Sequence, residues 1–298
     1  MSEEIDRGML YKIGFIGVGL MGSGMVDRLQ IAGYETHLLV HKNRSPIDRA
    51  INNGGIPYEN ILDLVNNVET IFLCLPSSKE VIEIAEKILR GPSKITLVID
   101  CTTNCPARVM AINKMFSDVN IDYLEAPLTG GVTQASEGKL GAILGGTEDA
   151  AKKASPLLRA CCSKISHVGG IGMGAKTKLV SNFLALGTAT LVVEALYIAK
   201  KLGIDWQAFY DLACQGSGHS MSLDRIAPKA IEQNFESYIF SISNTAKDFR
   251  YIHKLFMKED LELSALTGWM LKQYEDAEAK GLSNSLLSQR LDPDLLKR

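Results

Sequence analysis

Short apolar runs of strand length alternate with stretches of helical periodicity through the first 168 residues of the chain. The stretch after Gly22 and the stretch Lys79 to Arg90 repeat apolar positions at helical spacing. Strands that alternate with helices are joined by right-handed crossovers, and they favour a doubly wound parallel sheet. The predicted strands are Ile13–Ile16, Tyr34–Val40, Thr70–Leu75, Ile95–Ile99, Ile121–Glu125, Gly138–Gly146 and Ile165–Val168.

The pattern changes at Gly169, after which only helical periodicity remains. A mainly apolar run from Ala175 to Leu202 predicts a helix about 40 Å long at 1.5 Å per residue. Polar residues such as Asn182 and Glu194 interrupt the run, which favours a buried helix over a membrane span. Further helices are predicted at Trp206–Cys214, Leu223–Asn234, Ser243–Lys258 and Leu263–Lys280, before a polar tail from Leu291.

We therefore predict an α/β chain of two domains. Residues 1–168 form an N-terminal Rossmann-type doubly wound sheet, and residues 169–298 form an all-α domain that begins with a long interdomain helix. An apolar helix of this length favours burial between subunits, so we expect a homodimer or a homotetramer.

The first strand runs directly into Gly17, Gly19 and Gly22, which form the pattern G-x-G-x-x-G at the start of a helix. Gly17 permits the sharp turn, Gly19 lets a pyrophosphate approach the backbone, and Gly22 lets helix and strand pack closely. The helix start offers free N–H groups and a partial positive charge to phosphates. The pattern alone is also compatible with a merely structural turn, but its place between strand and helix favours dinucleotide binding.

The end of the second predicted strand bears on which dinucleotide binds. An acidic residue there takes the ribose hydroxyls of NAD, whereas an arginine accommodates the 2′-phosphate of NADP. The residues at this end are His41, Lys42, Asn43 and Arg44, and Asp48 comes too late. We therefore expect NADP(H) rather than NAD(H). The alternative is that Lys42 and Arg44 are ordinary solvated charges before a helix that Ser45 caps and Pro46 opens.

The composition of the chain limits the classes of molecule that it is expected to bind. The 298 residues are 46% hydrophobic and 22% charged with a net charge of −2, which indicates neither nucleic acid nor an anionic membrane as a partner. The six cysteines form no disulfide framework and no C-x-x-C pair with matching histidines, so we expect reduced thiols, no metal and a cytoplasmic location. The N-terminus is acidic and resembles neither a signal nor a transit peptide.

Polar and turn-forming residues follow three of the predicted strands. Leu75 and Pro76 end one strand at the sheet edge where ligands bind in open α/β sheets. After the next, Thr102 and Thr103 either bind a ligand or cap a helix. The third is followed by Thr129–Gly131, a turn whose exposed N–H groups suit a carboxylate.

Lys178 and Asn182 are spaced i, i+4 and share one face of the long predicted helix. Lys178 lies about one turn from the helix start, where the positive helix end and partial desolvation would lower the pKa of its ammonium group. Such a lysine suits proton exchange near neutral pH. Spacing alone favours an ordinary surface lysine, with Lys176 as the solvated comparison, and only the combination with the other segments favours a catalytic Lys178.

Several ordered segments resemble the β-hydroxyacid dehydrogenase family, which includes 3-hydroxyisobutyrate dehydrogenase and tartronate semialdehyde reductase. The resemblance covers nearly the whole chain. It departs at Thr129, where the family usually has Ser, and at Glu125, where Asp is common. Its segments are GFIGVGLMGSGM from Gly14, Leu75-Pro76, DCTTNCP from Asp100, EAPLTGG from Glu125, GIGMGAKTKLVSN from Gly170, and Lys247-Asp248.

The resemblance implies reversible hydride transfer between NADP(H) and a small β-hydroxy or aldehyde acid, with Lys178 as the catalytic acid and base. It implies substrate binding by Thr129, Gly130, Gly131 and Asn182. It implies cofactor binding by Gly17, Val18, Gly19, Leu20, Met21, Gly22, Asn43, Arg44, Ser45, Leu75, Pro76, Thr103, Lys247 and Asp248.

Two other functions remain open. Imine reductases share the architecture, but Lys178 would be replaced there, so its presence favours carbonyl chemistry. A dinucleotide-sensing protein with a silent site is the non-catalytic alternative. The 6-phosphogluconate dehydrogenases have a much longer helical domain. The candidate segment for recognising the distal group of the substrate is the polar stretch Gly216–Ser222. His219 within it is interpreted as a loop residue rather than a catalyst.

Overall fold

The computed structural model describes residues 11–41 and 44–296. Contacts divide the chain into two compact units, Met1–Lys178 and Leu179–Arg298. The division falls inside the long helix rather than before it, ten residues beyond the predicted boundary at residue 168.

Among the described residues, unit 1 contains one sheet of nine strands in the order β3-β2-β1-β4-β5-β6-β8-β7, with β9 paired to β8. The predicted Rossmann-type arrangement is confirmed for β1 to β6, which are all parallel. The strands are β1 (Lys12–Ile16), β2 (Glu35–Leu39), β3 (Ile56–Tyr58), β4 (Thr70–Leu73), β5 (Leu97–Asp100), β6 (Asp122–Glu125), β7 (Leu128–Thr129), β8 (Leu140–Gly145) and β9 (Cys162–Gly169).

The expectation of a wholly parallel sheet is wrong at one edge. Strand β8 is antiparallel to both β6 and β7, and β9 is parallel to β8. Only a short helix, Val132–Glu137, connects β7 to β8, and a short connection suits antiparallel neighbours better than a crossover. Strands β3 and β7 have three and two residues and were too short to predict from an apolar run.

Both faces of the sheet are covered by helices, because alternate residues of the central strands enter different cores. Phe15 and Phe72 pack in one core, with ring centroids 5.8 Å apart, whereas Ile16 and Ile71 belong to the core on the other face. The helices of unit 1 are α1 (Leu20–Ile31), α2 (Ser45–Asn52), α3 (Ile61–Val65), α4 (Ser78–Ile88), α5 (Pro106–Ser117), α6 (Val132–Glu137) and α7 (Glu148–Leu158), followed by α8 (Met173–Lys201), which continues into unit 2.

In the described part of unit 2 the regular elements are helices, as predicted, and one isolated antiparallel bridge joins Ser241 to Leu286. Its core includes the fully buried Tyr274, whose ring stacks on Phe249 and whose hydroxyl lies 2.6 Å from the Thr190 hydroxyl. The chain from Leu291 is not a polar tail as far as residue 296, since Leu291 is buried. The remaining elements are α9 (Trp206–Ala213), α10 (Met221–Ile231), α11 (Ile242–Lys258), α12 (Ser264–Ala279), a 3₁₀ turn (Leu287–Leu291) and α13 (Pro293–Leu296).

Helix α8 has 29 residues and is long and apolar enough to cross a membrane by length and composition alone. Half of its most apolar window is buried within the chain, and the core helix of a soluble protein meets the same criterion. Three large apolar residues on α8 nevertheless lie exposed at intervals of seven: Leu184, Leu191 and Ile198.

Candidate active site

The turn between β1 and α1 has the steric requirements that its glycines predicted. Gly17 has a φ of +103°, and a Cβ there would collide with the carbonyl oxygen of Cys74. A Cβ on Gly22 would collide with the carbonyl oxygen of Gly17. Both glycines are therefore required by packing inside the unit, whether or not a ligand binds.

Gly19 differs from its two neighbours in the motif. A Cβ on Gly19 would meet no described atom within 4 Å, and the residue is the N-cap of α1, with no side-chain capping bond. The packing of the chain therefore does not explain this glycine, whereas the approach of a phosphate to the backbone does. The open space at the helix start fits the pyrophosphate of a dinucleotide.

A buried carboxylate organises the loop after β5. Asp100 accepts hydrogen bonds from Thr102 N at 2.9 Å, Asn104 Nδ2 at 2.7 Å and the Tyr123 hydroxyl at 2.7 Å. Burial raises the pKa of Asp100, and these donors oppose the rise. No role for Asp100 was predicted from the sequence, because its hydrogen-bond donors come from two different segments of the chain.

This loop in turn holds the end of β4. The Thr102 hydroxyl accepts a hydrogen bond from Leu75 N at 3.1 Å, which fixes the Leu75-Pro76 segment beside the glycine turn. Neither Thr102 nor Thr103 caps α5, whose N-cap is Cys105, so the capping interpretation is wrong for both. Thr102 orients the strand end instead, and Thr103 lies half-buried in the same loop.

The N-cap of helix α4 is Ser77, whose hydroxyl accepts a hydrogen bond from Lys79 N at 3.1 Å. The Ser78 hydroxyl accepts from Cys105 N at 2.9 Å. Ser78 therefore joins the loop after β4 to the start of α5.

The predicted 2′-phosphate contact is described only in part. Asn43 and Lys42 lie outside the described residues. Arg44 is the N-cap of α2, and its exposed guanidinium pairs with Asp48 at 3.5 Å and with Glu59 at 3.7 Å. Ser45, expected to cap α2, is its first residue. A basic side chain thus stands near the end of β2, already balanced by two exposed carboxylates.

The predicted carboxylate site begins in β7 with Thr129. Gly130 has a φ of +109°, and Gly131 is the N-cap of α6. The N–H of Gly131 donates to Gln134 Oε1 at 2.9 Å, so this donor is engaged within the chain. A carboxylate that used it would have to displace Gln134.

Helices α1 and α6 cross with their backbones in close approach. A Cβ on Gly24 would lie 2.9 Å from the backbone of Ala135 and Ser136. Gly24 and Ala135 each lie about one helical turn, roughly 5.4 Å, from the start of their own helix. The crossing therefore brings the glycine turn and the Thr129–Gly131 segment to neighbouring positions.

Glu125 binds the start of α8. Its carboxylate is 2% exposed and accepts from Gly172 N at 2.5 Å and from Ala175 N at 2.7 Å. Burial raises the pKa of Glu125 to about 7, against the lowering effect of these bonds. A Cβ on Gly145 or on Gly174 would lie 2.5 Å or 2.9 Å from the Glu125 side chain, so both glycines make room for it. The sequence analysis noted Glu125 only as a departure from the family.

Lys178 is half-buried and lies five residues after the first residue of α8. Its predicted position close to a helix start is therefore confirmed, and that start is the one that Glu125 holds. Asn182 follows one turn later on the same face of the helix.

Asn182, Asp248 and Lys247 form one chain of contacts in unit 2. The buried Asn182 donates from Nδ2 to Asp248 Oδ2 at 2.7 Å. The Lys247 ammonium lies 3.1 Å from Asp248 Oδ1 and 5.9 Å from the centre of the Tyr251 ring. The resemblance assigned these three residues to one site, and the contacts join them.

Comparison with known proteins gives two adjoining matches to family models. One, described as the NAD binding domain of 6-phosphogluconate dehydrogenase, matches residues 12–169. The other, described as the NAD-binding of NADP-dependent 3-hydroxyisobutyrate dehydrogenase, matches residues 172–288. The matches adjoin close to the predicted boundary at residue 168.

Two relatives illustrate the level of similarity. The chain is 26% identical to 2-(hydroxymethyl)glutarate dehydrogenase of Eubacterium barkeri, over 93% of this chain and 92% of the relative. It is 31% identical to a probable mitochondrial 3-hydroxyisobutyrate dehydrogenase of Arabidopsis thaliana, over 76% and 70%.

Solved structures share the fold. A 3-hydroxyisobutyrate dehydrogenase of Mycobacterium tuberculosis with L-serine has a TM-score of 0.83 at 22% identity, covering 95% of this chain and 98% of that one. An imine reductase of Pseudomonas sp. has a TM-score of 0.63 at 16% identity, covering 97% and 100%.

Proposed function

The chain belongs to the β-hydroxyacid dehydrogenase family, and from this premise we propose that it transfers a hydride between NADP(H) and a small aldehyde acid or the matching β-hydroxy acid. Family membership makes the protein an NAD(P)-dependent 3-hydroxyacid dehydrogenase that acts on CH–OH groups. The finer proposal concerns the preference for NADP(H), the substrate class and the role of Lys178 as general acid and base.

The observation that carries the proposal is the anchored start of α8. Glu125 holds the N–H groups of Gly172 and Ala175, and Lys178 lies within the next turn of that helix. A general acid must sit at a defined distance from the reacting oxygen, so a fixed helix start is what its position needs.

Residues of the chain are also available to bind the dinucleotide and to transfer the proton. The open space at Gly19 and the start of α1 would hold the pyrophosphate, and Leu75, Pro76 and Thr103 would line the dinucleotide. Bound NADPH supplies the hydride. Lys178 gives a proton to the developing alkoxide in reduction and takes it back in oxidation.

The substrate carboxylate would bind at Thr129–Gly131, and it gains the Gly131 N–H only by displacing Gln134. The bond from Asn182 Nδ2 to Asp248 uses one of its two N–H donors and fixes the amide, so Asn182 would offer Oδ1 as an acceptor or its second N–H as a donor to the substrate. Lys247, held by Asp248, would reach the nicotinamide end of the cofactor.

Arg44 supports NADP(H) as the preferred cofactor. Its guanidinium is always charged and matches the geometry of a phosphate. The neighbouring Asp48 and Glu59 lie at 3.5 Å and 3.7 Å, distances of loose exposed pairs that a 2′-phosphate would outcompete.

We also propose a homo-oligomer, either a dimer or a tetramer, assembled through α8. Leu184, Leu191 and Ile198 are 71%, 54% and 53% exposed and recur every seven residues, which is the spacing of an apolar seam between helices. An unpaired seam of this kind is costly in water.

The decisive test pairs Lys178→Ala with Lys176→Ala. The second lysine lies on the same helix, two residues earlier and on another face. NADPH and NADH oxidation would be followed with succinic, malonic, methylmalonic and tartronic semialdehydes, glyoxylate and sulfolactaldehyde. We expect the Lys178 variant to lose at least about 100-fold in kcat, as removal of a general acid does, while it still binds NADPH. Near-normal turnover would refute the assignment.

Imine reduction is the second candidate, favoured by the shared fold at a TM-score of 0.63. A cyclic imine added to the same panel separates the two, because Lys178 favours a carbonyl substrate. Binding of NADPH with no oxidation by any compound would indicate a sensor instead.

A further inference from the structure

Three side chains of different chemistry converge where α9 meets α10. Cys214 is the C-cap of α9, His219 lies in the connecting turn, and Asp224 lies in the first turn of α10. Successive members are five residues apart, and one ligand atom from each lies within 4.8 Å of the others. The whole cluster lies in unit 2 and in one continuous stretch of chain.

The distances are close to those of a tetrahedral metal site. With bonds of about 2.3 Å to sulfur and about 2.1 Å to nitrogen or oxygen, tetrahedral ligands lie roughly 3.4 to 3.6 Å from one another. Cys214 Sγ lies 4.0 Å from Asp224 Oδ1, and His219 Nε2 lies 2.9 Å from both Asp224 oxygens. The third pair, Cys214 and His219, lies within 4.8 Å, so shifts of about an ångström would bring the three atoms onto one ion.

The ligand types narrow the choice of ion. A thiolate with an imidazole and one carboxylate suits Zn²⁺ and related divalent transition metals, whereas Mg²⁺ and Ca²⁺ require mainly oxygen ligands. The cluster is also accessible, since the side chains of His219 and Asp224 are 50% and 44% exposed.

A fourth polar group stands beside the three. The Tyr210 hydroxyl donates to Asp224 Oδ1 at 3.2 Å. A neutral phenol that donates to a ligating carboxylate is a common outer partner of metal sites.

We propose that Cys214, His219 and Asp224 bind one Zn²⁺ ion, with water in the fourth position and Tyr210 holding Asp224. Binding places the Cys214 thiolate on the metal and replaces the direct contact between His219 and Asp224 with bonds from both side chains to the ion. The ion ties the end of α9 to the start of α10 and so orders Gly216–Ser222. The site is separate from the residues proposed for hydride transfer, and it binds metal whether or not that proposal holds.

The test measures the metal alone on the full-length protein under a non-chelating reductant. Zn²⁺ affinity would come from competition with a chromophoric chelator, and Co²⁺ would report its ligands by absorption. The variants are Cys214→Ser, His219→Asn and Asp224→Asn. The matched control is Asp211→Asn, an exposed aspartate of α9 that bonds to Gln207 at 2.8 Å. Circular dichroism checks that each variant is folded.

We expect one equivalent of Zn²⁺ bound by the parent and by the Asp211 variant, and at least about tenfold weaker binding in each of the other three. The parent with Co²⁺ should show a thiolate-to-metal absorption band that Cys214→Ser lacks. Zn²⁺ should raise the melting temperature of the parent but not of Cys214→Ser. Equal Zn²⁺ affinity in the parent and Cys214→Ser, or the absence of a thiolate band, would overturn the proposal.

Discussion

Replacement of Glu125 by Gln measures which of two opposing effects dominates at the start of α8. The carboxylate gains hydrogen bonds from Gly172 and Ala175 but loses its hydration, since it is 2% exposed. A pKa raised from 4.5 to about 7 means that burial wins. At about 1.4 kcal/mol per pH unit, the ionised form is disfavoured in the folded protein by roughly 3 kcal/mol.

The sign follows from the direction of the shift. Because the folded pKa lies above the unfolded one, the stability contributed by Glu125 is fully present below about pH 4.5 and is lost as the pH rises through about 7. Glutamine is neutral at every pH, but its amide nitrogen cannot accept the second backbone N–H, a cost that does not vary with pH. We therefore expect the free energy of unfolding of Glu125→Gln, relative to that of the parent, to rise by about 3 kcal/mol between pH 4 and pH 8.

Urea unfolding followed by circular dichroism at both pH values would measure this difference. Glu86→Gln, which changes an exposed carboxylate of α4, is the control and should stay within about 0.5 kcal/mol of the parent. A stability of Glu125→Gln relative to the parent that falls between pH 4 and pH 8 would refute the reasoning. It would mean that the two N–H bonds outweigh burial and that the folded pKa lies below 4.5.

Four further variants test the glycine turn, the proposed 2′-phosphate contact and the exposed face of α8. Gly17→Ala should lose at least about 1–2 kcal/mol of stability because its φ is +103°. Gly19→Ala should instead keep the melting temperature of the parent and lose NADPH affinity. If both variants lost the same NADPH affinity and Gly17→Ala were not destabilised, the packing argument would be contradicted. Arg44→Ala should raise KM for NADPH about tenfold and leave KM for NADH unchanged, with Arg49→Ala as control; parallel changes for both cofactors would exclude a 2′-phosphate contact. Leu191→Glu should yield monomers by light scattering after size exclusion, and an unchanged mass would exclude α8 as the interface.

Local patterns were sufficient for the parts of the site that depend on neighbouring residues. The G-x-G-x-x-G turn was predictable because its turn, its helix start and its packing are all determined within a few residues of Gly17. The helical second unit was predictable for the same reason, since no strand pattern occurs among its helical repeats of apolar residues. Strands β3 and β7 were not, because two or three residues carry no period.

Contacts between distant segments were beyond reach of the sequence. Glu125 and Gly172 are 47 residues apart, and Asn182 and Asp248 are 66 apart. Spacing on one helix could relate Lys178 to Asn182 but could not pair Asn182 with a residue of α11. The resemblance to the family indicated which residues belong to the site, and only the packed structure shows which of these residues contact one another.

The crossing of α1 and α6 at Gly24 has a consequence for the order of binding. The backbone of α6 approaches α1 closely because Gly24 has no side chain, about one turn from the proposed cofactor and carboxylate segments. A dinucleotide that immobilises α1 also immobilises the start of α6, so each ligand strengthens the affinity for the other by the same factor. The linkage should appear as a lower dissociation constant for each ligand when the other is bound. Equal dissociation constants for the dinucleotide with and without a saturating hydroxy acid would show that the crossing transmits nothing.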